Sequence, residues 1–309
     1  MGKRAVIFPG QGAQYEGMGK ELYDGFGEVR DIYSAVSDAA GFDVGEVSFG
    51  GRVGDLGKTG YSQPAIFAMS LAGFAVYRKM GGTLDGVTGF SLGECTAVCA
   101  AGGLDLDEGA FMVAARARAM QKESEACSGS MYAVMGASEC AIRDAIAGSG
   151  GYAEMVNFNC PGQVVIAGET EAVQKAASAL QASGFKAVKL NVNAAFHSKL
   201  MENAASGFSG ELGRLSSFRK FDVEVFSNVT GSLLTPDVSP SDYFRTQMLS
   251  PVRWQAIIEE MIRGGYDDFV EIGPSKVLSG MIRRISKDVS VRNAEDPKGF
   301  DALFVHLPN

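Results

Sequence analysis

Only two of the 309 residues are histidine, His197 and His306. Any metal centre or proton relay that needs several imidazoles is thereby excluded. One imidazole suffices for nucleophilic catalysis if a serine stands beside it, and Gly89-x-Ser91-x-Gly93 supplies that serine. In such a pattern the serine sits on a strained strand-to-helix turn with its hydroxyl clear of the sheet, and small neighbours let the turn close. An ordinary glycine turn has the same letters. Here a short strand around Val87-Thr88 precedes the pattern and a small-residue helix follows through Ala101, which favours the nucleophile. The backbone N–H of Leu92, at the helix start, is then one donor of an oxyanion hole. Serine is a weak nucleophile and needs a base. His306 lies three residues from the C-terminus, where chains usually fray. By elimination the base is His197, in Asn193-Ala194-Ala195-Phe196-His197-Ser198.

Arg116 speaks to the substrate. A helix from about Leu106 to Glu123 opens on Asp105-x-x-Glu108, a capping-box pattern. Met112, Arg116 and Met120 share one face at i, i+4 spacing, whereas Arg118 shares another with Gln121, Lys122 and Glu125. Arg116 therefore points inward and Arg118 to water. An inward guanidinium needs an anion. That anion is either a protein carboxylate, in a structural ion pair, or the carboxylate of a substrate held by a bidentate clamp.

Three other patterns fail. Gly10-Gln11-Gly12 follows a strand as a dinucleotide loop would, but its third glycine position is Tyr15. Gly57-Lys58-Thr59 ends like a phosphate loop, but residue 52, where the first glycine belongs, is Arg52. Cys95 and Cys99 are one helical turn apart with no further soft ligand nearby in sequence, and read as helix-packing residues. The other cysteines are Cys127, Cys140 and Cys160, an odd total without a CxxC pair, so neither a disulfide framework nor a zinc site is expected.

The elements that must position these residues alternate strand, turn and helix. Ala5 to Phe8 is a strand, Met18 to Ala39 has helical spacing, Gly50 to Gly60 is a glycine-rich loop and Pro64 to Tyr77 an apolar helix. The class is α/β with a mostly parallel sheet. The middle differs. Met131 to Met135, Glu154 to Asn159, Gln163 to Ala167 and Lys186 to Val192 read as strands, with helices at Ser138 to Ala147 and Thr170 to Ala182. That is β-α-β-β-α-β, the ferredoxin-like order. A small subdomain at 127–192 is expected, inserted into a large α/β unit of 1–126 and 193–309. Glu224 to Ser227 and Asp268 to Ile272 are strands of the large unit, with helices at 254–263 and 275–286.

Composition agrees with a soluble globular protein: 46% hydrophobic, 21% charged. The net charge of -8 argues against nucleic acid as partner. Pro64 to Tyr77 is shorter than the ~20 residues of a membrane span, and the start of the chain lacks a signal-peptide apolar run. A cytoplasmic protein is expected, with no membrane partner.

With these residues assembled, the chain resembles malonyl-CoA:acyl carrier protein transacylases over nearly its full length. The blocks are Phe8 to Gln14, Gly89 to Glu94, Arg116 through Met120-Gln121, Val156 to Asn159 with Pro161 to Gly168, Phe196-His197-Ser198, Gln247 through Trp254, and Glu271 to Pro274. The resemblance implies a hydrolase-like α/β core with a ferredoxin-like insertion. It implies a Ser91–His197 pair without a catalytic carboxylate, and a malonyl-serine intermediate. The malonyl group would pass from malonyl-CoA to the phosphopantetheine thiol of acyl carrier protein. The backbone N–H of Gln11 matches the second oxyanion donor beside Leu92. Arg116 matches the arginine that holds the malonyl carboxylate, and the backbone carbonyl of Gln247 the group that orients the histidine. Phe196, Asn159 and Met120, inside the matching blocks, are expected around the substrate. No bound cofactor and no metal is implied, and a monomer is expected.

The chain departs from the family pattern at Phe90, where histidine is usual, and at Ala117, where glycine often follows the arginine. Phe196 resembles the malonyl-selective form of its loop in polyketide acyltransferase domains. Both fatty-acid supply and service to a polyketide synthase in trans remain open. A serine thioesterase or esterase, and a non-catalytic carrier-binding subunit, are the competing functions. An acidic carrier would need a basic patch, at Lys276, Arg283, Arg284 and Lys287 or at Lys186, Lys189 and Lys199.

Overall fold

The computed structural model describes residues 2–52, 54–126 and 129–304. Cys127 and His306, both weighed above, lie outside the described residues. The strands among the described residues are β1 (Lys3–Phe8), β2 (Gly86–Gly89), β3 (Gly129–Met135), β4 (Ala153–Cys160), β5 (Gln163–Glu169), β6 (Lys186–Lys189), β7 (Glu224–Val225), β8 (Tyr266–Ile272) and β9 (Ser290–Ala294).

One sheet has the order β7-β2-β1-β8-β9, and each neighbouring pair is parallel. Along β1, Val6 and Phe8 enter one core with residues of the helices Thr59–Lys79 and Leu92–Ala100. Ala5 and Ile7 enter another with Trp254, Ile258, Leu278 and Ile282. Covered on both faces, such a strand reads as a continuous apolar run, as Ala5 to Phe8 does. β1 and β2 pair in register to their ends, with Phe8 opposite Gly89. The loop after β1 and the turn after β2 therefore emerge side by side, at the carboxyl edge where open parallel sheets bind ligands.

The second sheet is antiparallel, in the order β4-β5-β3-β6. With the helices Glu139–Ala147 and Thr170–Ala182 it reproduces the ferredoxin-like succession. It meets the first layer at Val252, whose N–H donates to Val156 O at 2.8 Å and whose carbonyl accepts from Phe158 N–H at 2.9 Å.

Several elements differ from the sequence reading. Met18 to Ala39 is not one helix but two, Lys20–Gly25 and Gly27–Ala40, broken at Phe26, which is extended. Glycines on both sides of Phe26 weaken the helix there. The apolar helix begins at Thr59, not Pro64, and carries that proline in its second turn. β6 stops at Lys189, and just beyond it the chain turns, with Val192 N–H donating back to Leu190 O at 2.9 Å. β9 and the helices Glu202–Leu212 and Pro240–Leu249 were not anticipated. Among the described residues no helix is long and apolar enough to cross a membrane.

Candidate active site

Ser91 stands between β2 and the helix Leu92–Ala100 with φ 52° and ψ -103°. A non-glycine residue at positive φ is strained and persists only where the surroundings hold it. Close packing supplies the hold. A Cβ on Gly93 would lie 2.0 Å from Phe8 O, and one on Gly89 1.9 Å from Gly93 C. Only glycines let the helix sit this close to the strands. Asn228 clips the turn from below: its Oδ1 accepts from Ser91 N–H at 2.7 Å and its Nδ2 donates to Gly89 O at 2.7 Å.

His197 also has positive φ, 63°. Its Nε2 lies 2.7 Å from Ser91 Oγ and its Nδ1 3.1 Å from the backbone oxygen of Gln247. A carbonyl can only accept, so Nδ1 carries the proton and Nε2 offers its lone pair to the serine hydroxyl. Burial, reinforced by the Arg116 charge, lowers the imidazole to about 4. It is therefore neutral at pH 7, as a general base must be.

Arg116 is 1% exposed, while Arg118 is exposed and pairs with Glu211. The capping box that starts their helix is formed in both directions, Asp105 N–H to Glu108 and Glu108 N–H to Asp105. Arg116 Nη1 donates to Gln63 Oε1 at 2.6 Å, and Nη2 donates to Ser91 Oγ at 3.0 Å and Gln247 Oε1 at 3.2 Å. Nε has no partner. No ion pair found among the described residues includes Arg116. Of the two alternatives left by the sequence, the structural ion pair has no partner here. Burial lowers the guanidinium's pKa, which marks a cation held without a contacting anion.

Gly10 lets the loop after β1 lie on the elbow, since a Cβ there would meet Phe90 O at 2.3 Å. Gln11 follows, its side chain tied to Thr59 Oγ1. Among the described residues, the backbone N–H groups of Gln11 and Leu92 are paired with no acceptor. A cavity of about 400 Å³ is lined by Gln11, Ser91, Arg116, Met120, Phe196 and His197. Asn159 lies instead in an adjoining cavity of about 220 Å³, which shares Gln11, Phe90 and Asn157 with the first. Phe90 packs edge-on against Trp254. A wider hollow of about 690 Å³, lined by Arg52, Tyr61 and Arg118, contains none of the candidate residues. Cys95 and Cys99 pack between helices.

Sequence reasoning missed four residues. Gln63 holds Arg116, and Asn228 holds the elbow. Glu94 is wholly buried one turn beyond Ser91. Its Oε1 accepts from Asn228 N–H and from the hydroxyl of Tyr243, and its Oε2 from Gln247 Nε2 at 2.8 Å. Burial pushes it up to about 7, against the pull of those three donors and the Arg116 charge. The only sequence signal was a carboxylate on the small-residue helix after the elbow, on what had to be a buried face.

Residues 6–296 match the family described as acyl transferase domain. A malonyl CoA-acyl carrier protein transacylase of Bacillus subtilis is 33% identical over 302 residues, 96% of this chain and 95% of that protein. The crystal structure of a transacylase of that name from Clostridium perfringens superposes with TM-score 0.92 at 37% identity, covering 97% of this chain and 96% of the other. A malonyl-transacylase solved in complex with its type II polyketide synthase acyl-carrier protein superposes with TM-score 0.92 at 33% identity, covering 97% and 98%. The chain belongs to the acyl transferase family and, within it, to the malonyl CoA-acyl carrier protein transacylases.

Proposed function

We propose that the chain carries malonyl groups from malonyl-CoA to the phosphopantetheine thiol of acyl carrier protein through malonyl-Ser91. The observation that carries the reading is Ser91 Oγ, which lies 2.7 Å from a neutral imidazole and 3.0 Å from a buried guanidinium that has no carboxylate partner among the described residues. His197 Nε2 takes the hydroxyl proton as Oγ attacks the thioester carbonyl. The N–H groups of Gln11 and Leu92 receive the oxyanion. The CoA thiolate leaves with the proton from His197. His197 then takes the proton of the carrier thiol as its sulfur attacks the malonyl-serine carbonyl, and returns that proton to Ser91 Oγ as the C–O bond breaks, which restores the hydroxyl and the neutral imidazole. Among the described residues no carboxylate contacts His197; the Gln247 carbonyl fixes its tautomer.

Arg116 selects acyl groups that end in a carboxylate, because a buried guanidinium held by the neutral acceptors Gln63, Gln247 and Ser91 favours an anion over a neutral group. Met120 and Phe196 close the walls, and Asn159 borders the approach. The chain works as a cytoplasmic monomer, with 127–192 as a subdomain inserted between 1–126 and 193–309. The antiparallel sheet of β3 to β6 supports that division.

The test is CoA release from malonyl-CoA with and without phosphopantetheinylated carrier. Rapid release only with carrier, and malonyl-carrier as product, is expected. Equally rapid release without carrier would make the chain a thioesterase.

A further inference from the structure

Gln247 has four contacts that bear on the site. Its backbone oxygen accepts from His197 Nδ1 and its Oε1 from Arg116, while its Nε2 donates to Ser91 O at 2.9 Å and Glu94 Oε2 at 2.8 Å. The amide can do this in one orientation only. Turned over, its NH2 would face the guanidinium and its oxygen the two acceptors. A carboxylate without a proton accepts and never donates, so Glu94 fixes the amide with NH2 toward itself. Its other oxygen holds Asn228 N–H at 3.0 Å, and Asn228 clips the strained serine. Tyr243, which also lies 2.7 Å from Ser227 Oγ, is the third donor. Thus two residues that grip base, nucleophile and clamp hang from one carboxylate, which itself reaches none of the reacting atoms.

We infer that Glu94, in its ionised form, is a positioning residue for acyl transfer: through Gln247 and Asn228 it holds His197, Ser91 and Arg116 in register. The inference rests on the reading of Ser91 as nucleophile. The charged and titratable groups facing Glu94 are Tyr243 from the helix Pro240–Leu249, Arg116 from the helix Leu106–Ala126, and Cys95 from its own helix. Arg116 is cationic and the other two are neutral over the working range. Glu94 is raised to about 7 and His197 is lowered to about 4. Acylation of Ser91 should therefore fail on the acid side where Glu94 gains its proton, well above the pH at which His197 does.

The experiment follows the rate of malonyl-Ser91 formation by rapid-quench intact mass across pH 4.5–9, on the parent and on Glu94→Gln. Glutamine keeps the volume but sets an NH2 against Gln247 or Asn228. A buried polar group left unpaired in this way slows the step about tenfold to a hundredfold at pH 8. Loss of the titrating group moves the acid limb from near 7 toward the pH at which His197 protonates. Damage that is only structural lowers the rate and leaves the limb in place, and that result overturns the inference, as does an unchanged rate. Tyr243→Phe serves where Glu94→Gln fails to fold. Losing a donor to the anion raises Glu94 further, so the limb moves to higher pH; an unmoved limb overturns the inference. A parent that forms no adduct at any pH sinks the Ser91 reading instead.

Discussion

Replacing Arg116 by alanine separates recognition of malonyl from acyl transfer itself. The guanidinium is 1% exposed and two neutral amides, Gln63 and Gln247, hold it. A malonyl carboxylate entering the cavity meets a cation that no contacting anion neutralises, whereas an acetyl group presents nothing to it. Removing one partner of a buried ion pair costs about 3–5 kcal/mol. At ~1.4 kcal/mol per decade that is roughly 10²- to 10³-fold or somewhat more in kcat/KM for malonyl. The two amide oxygens also lose a donor, at about 1–3 kcal/mol, and both substrates bear that loss alike. The malonyl-to-acetyl ratio of kcat/KM should therefore fall by about two to three decades on the charge alone. Malonyl-CoA and acetyl-CoA competing in one tube, with the acyl-protein resolved by mass, measure that ratio directly. An unchanged ratio would refute the clamp and leave Arg116 a structural residue.

Other outcomes follow from the same geometry. Gly93→Ala drives a methyl into Phe8 O and should lower stability by about 1–3 kcal/mol or more in thermal melts; a variant with the parent's melting temperature contradicts the packing of the elbow. Asn228→Ala strips Ser91 N–H and Gly89 O of partners, and should cost about 1–3 kcal/mol in urea unfolding and most of the acylation rate. The pH dependence of stability has two opposed parts. His197, at about 4 inside against 6.5 outside, contributes fully above pH 6.5, and that share is lost as pH falls toward 4. Glu94, at about 7 against 4.5, does the reverse: its stabilisation is present below pH 4.5 and lost as pH rises through 7. Each amounts to about 3 kcal/mol at ~1.36 kcal/mol per unit, so over pH 4.5–6.5 they nearly cancel. Glu94→Gln should expose the His197 slope, with unfolding free energy rising between pH 4.5 and 6.5 more steeply than in the parent; parallel curves would contradict it.

The elbow was legible in the sequence because its chemistry is local: strand, glycine, serine, glycine and helix are contiguous, and the strain of Ser91 needs those neighbours. Arg116 was legible because helical phase alone puts it with Met112 and Met120. His197 came by elimination, in a chain with almost no other imidazole. Gln11 and Gln247 came from resemblance only, since nothing in a lone glutamine marks its backbone groups for a site. Asn228, Gln63, Glu94 and Tyr243 stayed hidden for the same physical reason. Their partners lie far along the chain, as Asn228 and Ser91 do, and a contact between distant residues has no periodicity to betray it. The break at Phe26 was missed because the apolar spacing continues through it while the flanking glycines lower helix propensity.

The central claim is a malonyl-serine formed at Ser91 by His197. Intact mass of the parent, Ser91→Ala and His197→Ala after mixing with malonyl-CoA tests it most directly. One malonyl group on the parent, mapped to Ser91, and none on either variant is the predicted result. A parent without the adduct, or an adduct that survives Ser91→Ala, would contradict it.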